Sequence, residues 1–214
     1  MKRNNILAHR GCWDEIENKN SFKALKSALV AGFGVETDFR DCNGVIVVSH
    51  DPPEGDILEA QSFFELYVAL GSSGRIGLNI KADGLQKQLL EMFVKTGLQL
   101  ENCYAFDMSV PDGLGYIAND FPTYARLSEY ETEPSLLNLS VGAWVDSFTG
   151  DFAQVAEAQK ILAAGNRACI VSPELHQRDH QPIWSEIAEA GLHKNPLFEL
   201  CTDFPQAAYD FFKT

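Results

Sequence analysis

Gly34-Val35-Glu36-Thr37-Asp38-Phe39-Arg40, then Asp41-Cys42-Asn43-Gly44, then Val45-Ile46-Val47-Val48-Ser49-His50-Asp51: this stretch decides how the rest of the chain reads. Side chains two apart on a strand point to the same face, so Glu36 and Asp38 share one face while Val35, Thr37 and Phe39 share the other. The apolar-leaning set suits burial beneath helices. The turn-rich segment 41–44 predicts a hairpin, with Val45–Val48 as its return strand. Two carboxylates turned into the mouth of a barrel repel each other and lose hydration. A shared hard cation that prefers oxygen ligands, Mg2+ or Ca2+, removes that cost.

Outward from the hairpin, short apolar runs alternate with helical periodicity, the signature of parallel βαβ units. The eight strand candidates are 5–9, 34–40, 75–81, 102–108, 122–128, 141–147, 167–172 and 197–202. Between them Phe22, Leu25, Leu29 and Phe33 form one helical face, opened by the potential caps Asn20 and Ser21. Leu85, Leu89, Met92 and Phe93 repeat the stripe, Phe152, Val155, Ile161 and Leu162 give a looser one, and a further helix is expected around 63–70. A short helix is expected around 135–139. Right-handed crossovers between eight parallel strands close into a compact α/β fold, a (β/α)8 TIM barrel, with residues 1–214 as one domain. A doubly wound open sheet is the competing architecture.

The third strand candidate carries Asn79 and Lys81 at the same i, i+2 spacing as the two acids, with Leu78 and Ile80 facing the helices. The amide oxygen suits the metal shell, and the ammonium suits a nonbridging phosphate oxygen. His9 ends the first strand candidate, with Arg10 beside it, and His50 follows the return strand. Imidazole titrates near neutrality, so two histidines on opposite sides of a phosphorus centre serve as base and acid. Glu174 and His176 share the mouth after the seventh strand candidate, and Trp13, Trp144 and Asp146 are candidates to line the same pocket.

In order and spacing, Ala8-His9-Arg10-Gly11, Asn20-Ser21, Glu36-Thr37-Asp38, Asn43-Gly44 and Val47-Val48-Ser49-His50-Asp51 resemble the glycerophosphodiester phosphodiesterase family. Asn79-Ile80-Lys81 and Cys201-Thr202-Asp203-Phe204-Pro205 extend the likeness more loosely. The resemblance implies a (β/α)8 barrel that cleaves a small phosphodiester into an alcohol and a phosphomonoester. It implies acid-base catalysis by His9 and His50, a divalent cation at Glu36, Asp38 and Asn79, and phosphate contacts from Arg10 and Lys81. The family usually has glutamate where this chain has Asn79, so a weaker cation site is expected unless Asp107 or Glu174 compensates. It also commonly inserts a small subdomain after the hairpin. Only residues 51–74 intervene here, which predicts an open pocket. Strand seven of the family leads into an aromatic and Thr-Val-Asn, whereas Val171-Ser172-Pro173-Glu174-Leu175-His176 predicts a rebuilt leaving-group side.

Composition excludes other classes. Seventeen Lys and Arg against 30 Asp and Glu leave a net charge of −13, unsuited to nucleic acid, whose phosphates are held by clustered cations. Five cysteines without a CxxC pair predict reduced, mostly buried thiols. No apolar run is long enough for a membrane span, and the start of the chain has no export-type apolar region, so a cytoplasmic location is expected. The oligomeric state has no sequence signature. Two alternatives to hydrolysis stay open: a lyase that forms a cyclic phosphate by internal attack, and a noncatalytic barrel that binds a phosphorylated metabolite.

Overall fold

A computed structural model describes residues 1–213. In chain order the elements are β1 (Ile6–His9), α1 (Phe22–Val30), β2 (Gly34–Cys42), β3 (Val45–Val48), α2 (Ala60–Ala69), β4 (Ile76–Ile80), α3 (Gln86–Thr96), β5 (Cys103–Phe106), α4 (Val110–Ala118), β6 (Tyr124–Leu127), β7 (Gly142–Val145), α5 (Gln154–Ala163), β8 (Arg167–Val171), α6 (Gln181–Glu189), β9 (Phe198–Thr202) and α7 (Pro205–Phe212). Every strand candidate of the sequence contains a strand; most ends are trimmed by one or two residues, while β2 runs on two residues to Cys42. Eight strands run parallel in the order β5-β4-β2-β1-β9-β8-β7-β6. The ring is nearly closed: between β5 and β6 it is joined by a bridge from Ala105 to Thr123, with the Ala105 N–H 2.9 Å from the Pro122 carbonyl. β3 returns antiparallel along β2, with Phe39 opposite Val48.

The expected helix around 135–139 is corrected: only a single 3-10 turn, Leu137–Leu139, joins β6 to β7. Glu131-Thr132-Glu133-Pro134 has no apolar stripe to bury, and a proline at 134 removes a backbone donor just where a helix would propagate.

Alternation along each strand sorts the side chains. Val35, Phe39, Leu78 and Ile80 pack outward under α2 and α3, with the stacked rings of Phe39 and Phe64 at 5.4 Å. Leu7, Tyr104, Phe106, Tyr124, Trp144, Cys169, Val171 and Cys201 form a separate cluster inside the ring. Near the N-terminal ends of the strands, Tyr104 and Tyr124 stack at 3.6 Å. Gly77 and Gly142 make room for them, since a Cβ at Gly77 would meet the Tyr104 hydroxyl at 2.9 Å and one at Gly142 the Tyr124 ring at 2.6 Å. Beside these rings the wholly buried Glu199 accepts from Tyr124 at 2.9 Å and pairs with Arg75 and Arg167. That floor of rings and paired charges blocks the N-terminal end, so the open end lies at the C-terminal tips, where barrel sites form. Among the described residues all five cysteines are free thiols, and no helix is long and apolar enough to cross a membrane.

Candidate active site

The residues singled out by the sequence meet at one mouth. β1 ends on His9 and leads into Arg10 and Gly11, both in the left-handed region at φ 58° and 91°. Gly11 is required there, because a Cβ would lie 2.5 Å from the Ala24 carbonyl carbon of α1. This tight turn swings Arg10 back over β2, with its Nε 2.9 Å from Asp38 Oδ2. Ser21 caps α1 by accepting from the Ala24 N–H. Asn20 instead donates to Asp38 Oδ2 at 2.8 Å and accepts from Thr37.

Glu36 and Asp38 are almost wholly buried, and both face the interior as the strand alternation requires. Parallel pairing sets Asp38 beside Asn79 on β4. Asn79 Nδ2 donates to Glu36 Oε1 at 3.1 Å, and Lys81 Nζ lies 3.6 Å from Asp38 Oδ1 and 3.3 Å from Asp107 Oδ2. Burial drives the Glu36 carboxyl above the ordinary carboxylate range. The Asp38 charge adds to the rise, while His9, Arg10 and the Asn79 amide oppose it.

His9 is the most firmly oriented imidazole. Its Nδ1 is 2.6 Å from Asp203 Oδ1, which leaves Nε2 facing Glu36 Oε2 at 3.9 Å. Burial alone would raise Asp203, but the hydrogen bond and charge of His9, with Lys19 at 3.6 Å, outweigh it and hold this carboxyl below its usual range. The Trp13 indole donates to the His9 carbonyl at 3.0 Å. His50 stands at the rim, 45% exposed, with Nδ1 3.0 Å from Asp51. His9, His50, Glu36, Asn79, Arg10 and Lys81 all line one cavity of about 310 Å³. Asp38 lies beneath it.

Three buried oxygens, Glu36 Oε2, Asp38 Oδ1 and Asn79 Oδ1, have no hydrogen-bond partner among the described residues. All three are acceptors, and a buried acceptor left unpaired is costly. The donor set therefore fits a hard divalent cation that prefers oxygen, with the third ligand a neutral amide. Among the described residues there is no group of three or more His, Cys, Asp and Glu side chains placed to hold a metal, so the set depends on Asn79. Asp107 and Glu174, the two carboxylates that could make up for the missing glutamate, are both engaged elsewhere. Asp107 is taken by Lys81 and by Arg126 at 2.5 Å, and Glu174 by Ser172, Thr202 and the Asp203 N–H.

Neither a protein-family model nor a curated protein matches the sequence. Solved structures do match. A glycerophosphodiester phosphodiesterase from Parabacteroides distasonis superposes with a TM-score of 0.75 at 15% identity, covering 100% of this chain and 98% of that one. The chain has the glycerophosphodiester phosphodiesterase fold. A second such enzyme, from Agrobacterium tumefaciens, gives a TM-score of 0.67 at 17% identity over 98% of this chain and 99% of its own. An Oleispira antarctica phosphodiesterase, solved with its product sn-glycerol-3-phosphate, gives 0.69 at 17% identity over 98% and 97%.

On this fold the sequence reading overlooked several contributors to the mouth. Asp203 stands in the motif without a role legible from the sequence, and it orients His9 across 194 positions of chain. Asn20, a potential cap and part of the motif, has its partners in Asp38 and Thr37 instead. Arg126 lines the cavity and bridges Asp107 to Glu131. His176 and Asp146, both candidates for the mouth from the sequence, do line the cavity, and what the sequence does not show is their pairing at 2.7 Å. No local spacing signals these pairs, but Asp107, Asp146 and Asp203 each stand immediately after the last residue of a strand, a clue legible in the sequence.

Proposed function

We propose that this chain is a divalent-cation-dependent phosphodiesterase that hydrolyses a small glycerophosphodiester to an alcohol and a phosphomonoester. The observation that carries this reading is the meeting at the strand tips of an oriented imidazole, His9, and two cationic side chains with three buried oxygens that accept no hydrogen bond among the described residues, those of Glu36 and Asn79 on the cavity and that of Asp38 beneath it. Glu36, Asp38 and Asn79 would hold the cation, Mg2+ or Ca2+, which when bound supplies positive charge that polarises the phosphoryl oxygens. Arg10 and Lys81 attract the phosphate, and each is anchored on Asp38 so that its position is fixed before substrate arrives.

His50, open to solvent at the rim, takes a proton from water as the water oxygen bonds to phosphorus. His9 gives the proton on Nε2 to the departing alkoxide as the phosphorus–oxygen ester bond breaks. The Asp203 carboxylate keeps the His9 ring in place while its other nitrogen exchanges protons. Water and diester are consumed, alcohol and phosphomonoester are released, and the two imidazoles then exchange protons with solvent.

The test is phosphorus NMR of glycerophosphodiesters incubated with the protein and Mg2+ or Ca2+ in 18O-labelled water. One labelled oxygen in the phosphomonoester supports direct hydrolysis. A cyclic phosphate appearing first would replace this reading with the lyase. Binding of glycerol 3-phosphate without turnover of any diester would replace it with the noncatalytic barrel.

A further inference from the structure

The wall of the cavity facing the acids contains a second buried carboxylate–imidazole pair. β7 lies four strands from β2 in either direction round the ring, so Asp146 and His176 stand across the mouth from Glu36 and Asp38. Asp146 is almost fully buried, and its Oδ1 accepts from both the Ser147 N–H at 2.8 Å and the His176 ring at 2.7 Å. The carboxylate therefore takes the hydrogen of His176 Nε2. Nδ1, on a ring that lines the cavity, has no partner among the described residues, and in the tautomer that donates from Nε2 it is an acceptor.

Beside this acceptor stands Phe148, 5.1 Å from the His176 ring and also on the cavity, with Trp144 stacked on Phe106 behind it. The loop carrying Phe148 is tied down. Glu129 accepts from the N–H groups of Phe148 and Thr149, and Arg178 donates to the Ser147 carbonyl. The subsite is therefore built before any ligand enters.

We propose that His176, set by Asp146, and Phe148 form the subsite for the leaving alcohol, and that they select a polyol over a cationic alcohol. This rests on the phosphodiesterase reading and specifies its substrate class. A lone-pair nitrogen recognises an O–H donor, and an aromatic face covers the C–H face of a hydroxylated carbon chain or ring. A quaternary ammonium needs a free carboxylate or an aromatic face clear of other cations, and this wall offers neither. Asp146 is used by His176, Asp107 by Lys81 and Arg126, Glu131 by Arg126, and Glu129 by the loop backbone. The Arg126 guanidinium lies 5.7 Å from the Phe148 ring centre, so a second cation there meets repulsion.

The experiment compares two diesters that differ only in one alcohol, glycerophosphoglycerol and glycerophosphocholine, with wild type and two variants. His176→Gln keeps a donor for Asp146, so no buried carboxylate is left unpaired, but removes the Nδ1 acceptor. Phe148→Leu removes the aromatic face. Wild type is expected to favour the polyol diester by about tenfold in kcat/KM, as expected when a built hydrogen bond is left unmet by the competitor. Each variant loses most of that preference through a higher KM for the polyol diester, with less than about a twofold change on the choline diester, as expected where binding contacts alone are lost. Equal losses on both diesters, or a wild-type preference for choline, would overturn the assignment while leaving the phosphodiesterase reading intact. If wild type cleaves neither diester, both readings fall together.

Discussion

Replacing Asn79 with glutamate tests the cation site from both sides of the charge balance. The Asn79 amide donates to Glu36 Oε1 at 3.1 Å and sits in register with Asp38. Asn79→Glu replaces that donor with a carboxylate beside two others. At such separations and an effective dielectric near 20, each new like-charge contact costs roughly 3 to 5 kcal/mol before neighbouring cations offset it. Lys81 and Arg10 supply part of that offset. A net loss of about 2 to 3 kcal/mol corresponds to a Tm lowered by roughly 4 to 12 °C in EDTA for a domain of this size. A bound cation reverses the sign of those contacts, so affinity for Mg2+ or Ca2+ should rise at least about tenfold, or roughly 1.4 kcal/mol. Thermal unfolding with EDTA and with the cation, together with titration calorimetry, reads both effects. An unchanged Tm in EDTA with unchanged cation affinity would show that position 79 does not share a volume with Glu36 and Asp38, and the cation site would have to be abandoned.

Three further outcomes are expected. His9→Ala and His50→Ala should each lower turnover by about 100-fold or more with unchanged circular dichroism, and full activity in either would reject its acid-base role. Gly77→Ala places a methyl against the Tyr104 hydroxyl, itself backed by the Tyr124 stack, and should cost about 1 to 3 kcal/mol, read as a lower denaturant midpoint at constant slope. Glu129 is drawn down to about 2 because hydrogen bonds from the Thr149 and Phe148 backbone outweigh a burial effect that would raise it. A carboxyl depressed on folding stabilises above its unfolded pKa, near 4.3, and loses that contribution as pH falls through its folded value. The Tm difference between wild type and Glu129→Gln should therefore be flat above about pH 5 and shrink toward pH 2, and a difference that grows with acid would refute the assignment.

What the sequence reveals of this molecule follows the range of its signals. Strand alternation is a two-residue rule, so the inward turn of Glu36, Asp38 and Asn79 could be read locally, and the eight strands follow from apolar runs between helical stripes. The absent helix between β6 and β7 escaped because a barrel normally has one there, although Pro134 and the acidic run before it gave the contrary sign. Side-chain pairing across the mouth is of another kind. Asp203 reaches His9, and Asp146 reaches His176, only because distant strands are brought side by side, and no spacing rule encodes that. Asn20 shows the same limit from the other direction. A good local explanation, helix capping, hid its long-range partner Asp38.

The paired tyrosines and the neutralised Glu199 beneath them turn the barrel into a cul-de-sac. A molecule that enters must back out by the doorway it came through, past the same few side chains. Traffic through this protein is thus governed by the loops round a single opening, and the staves behind them contribute rigidity but no second exit.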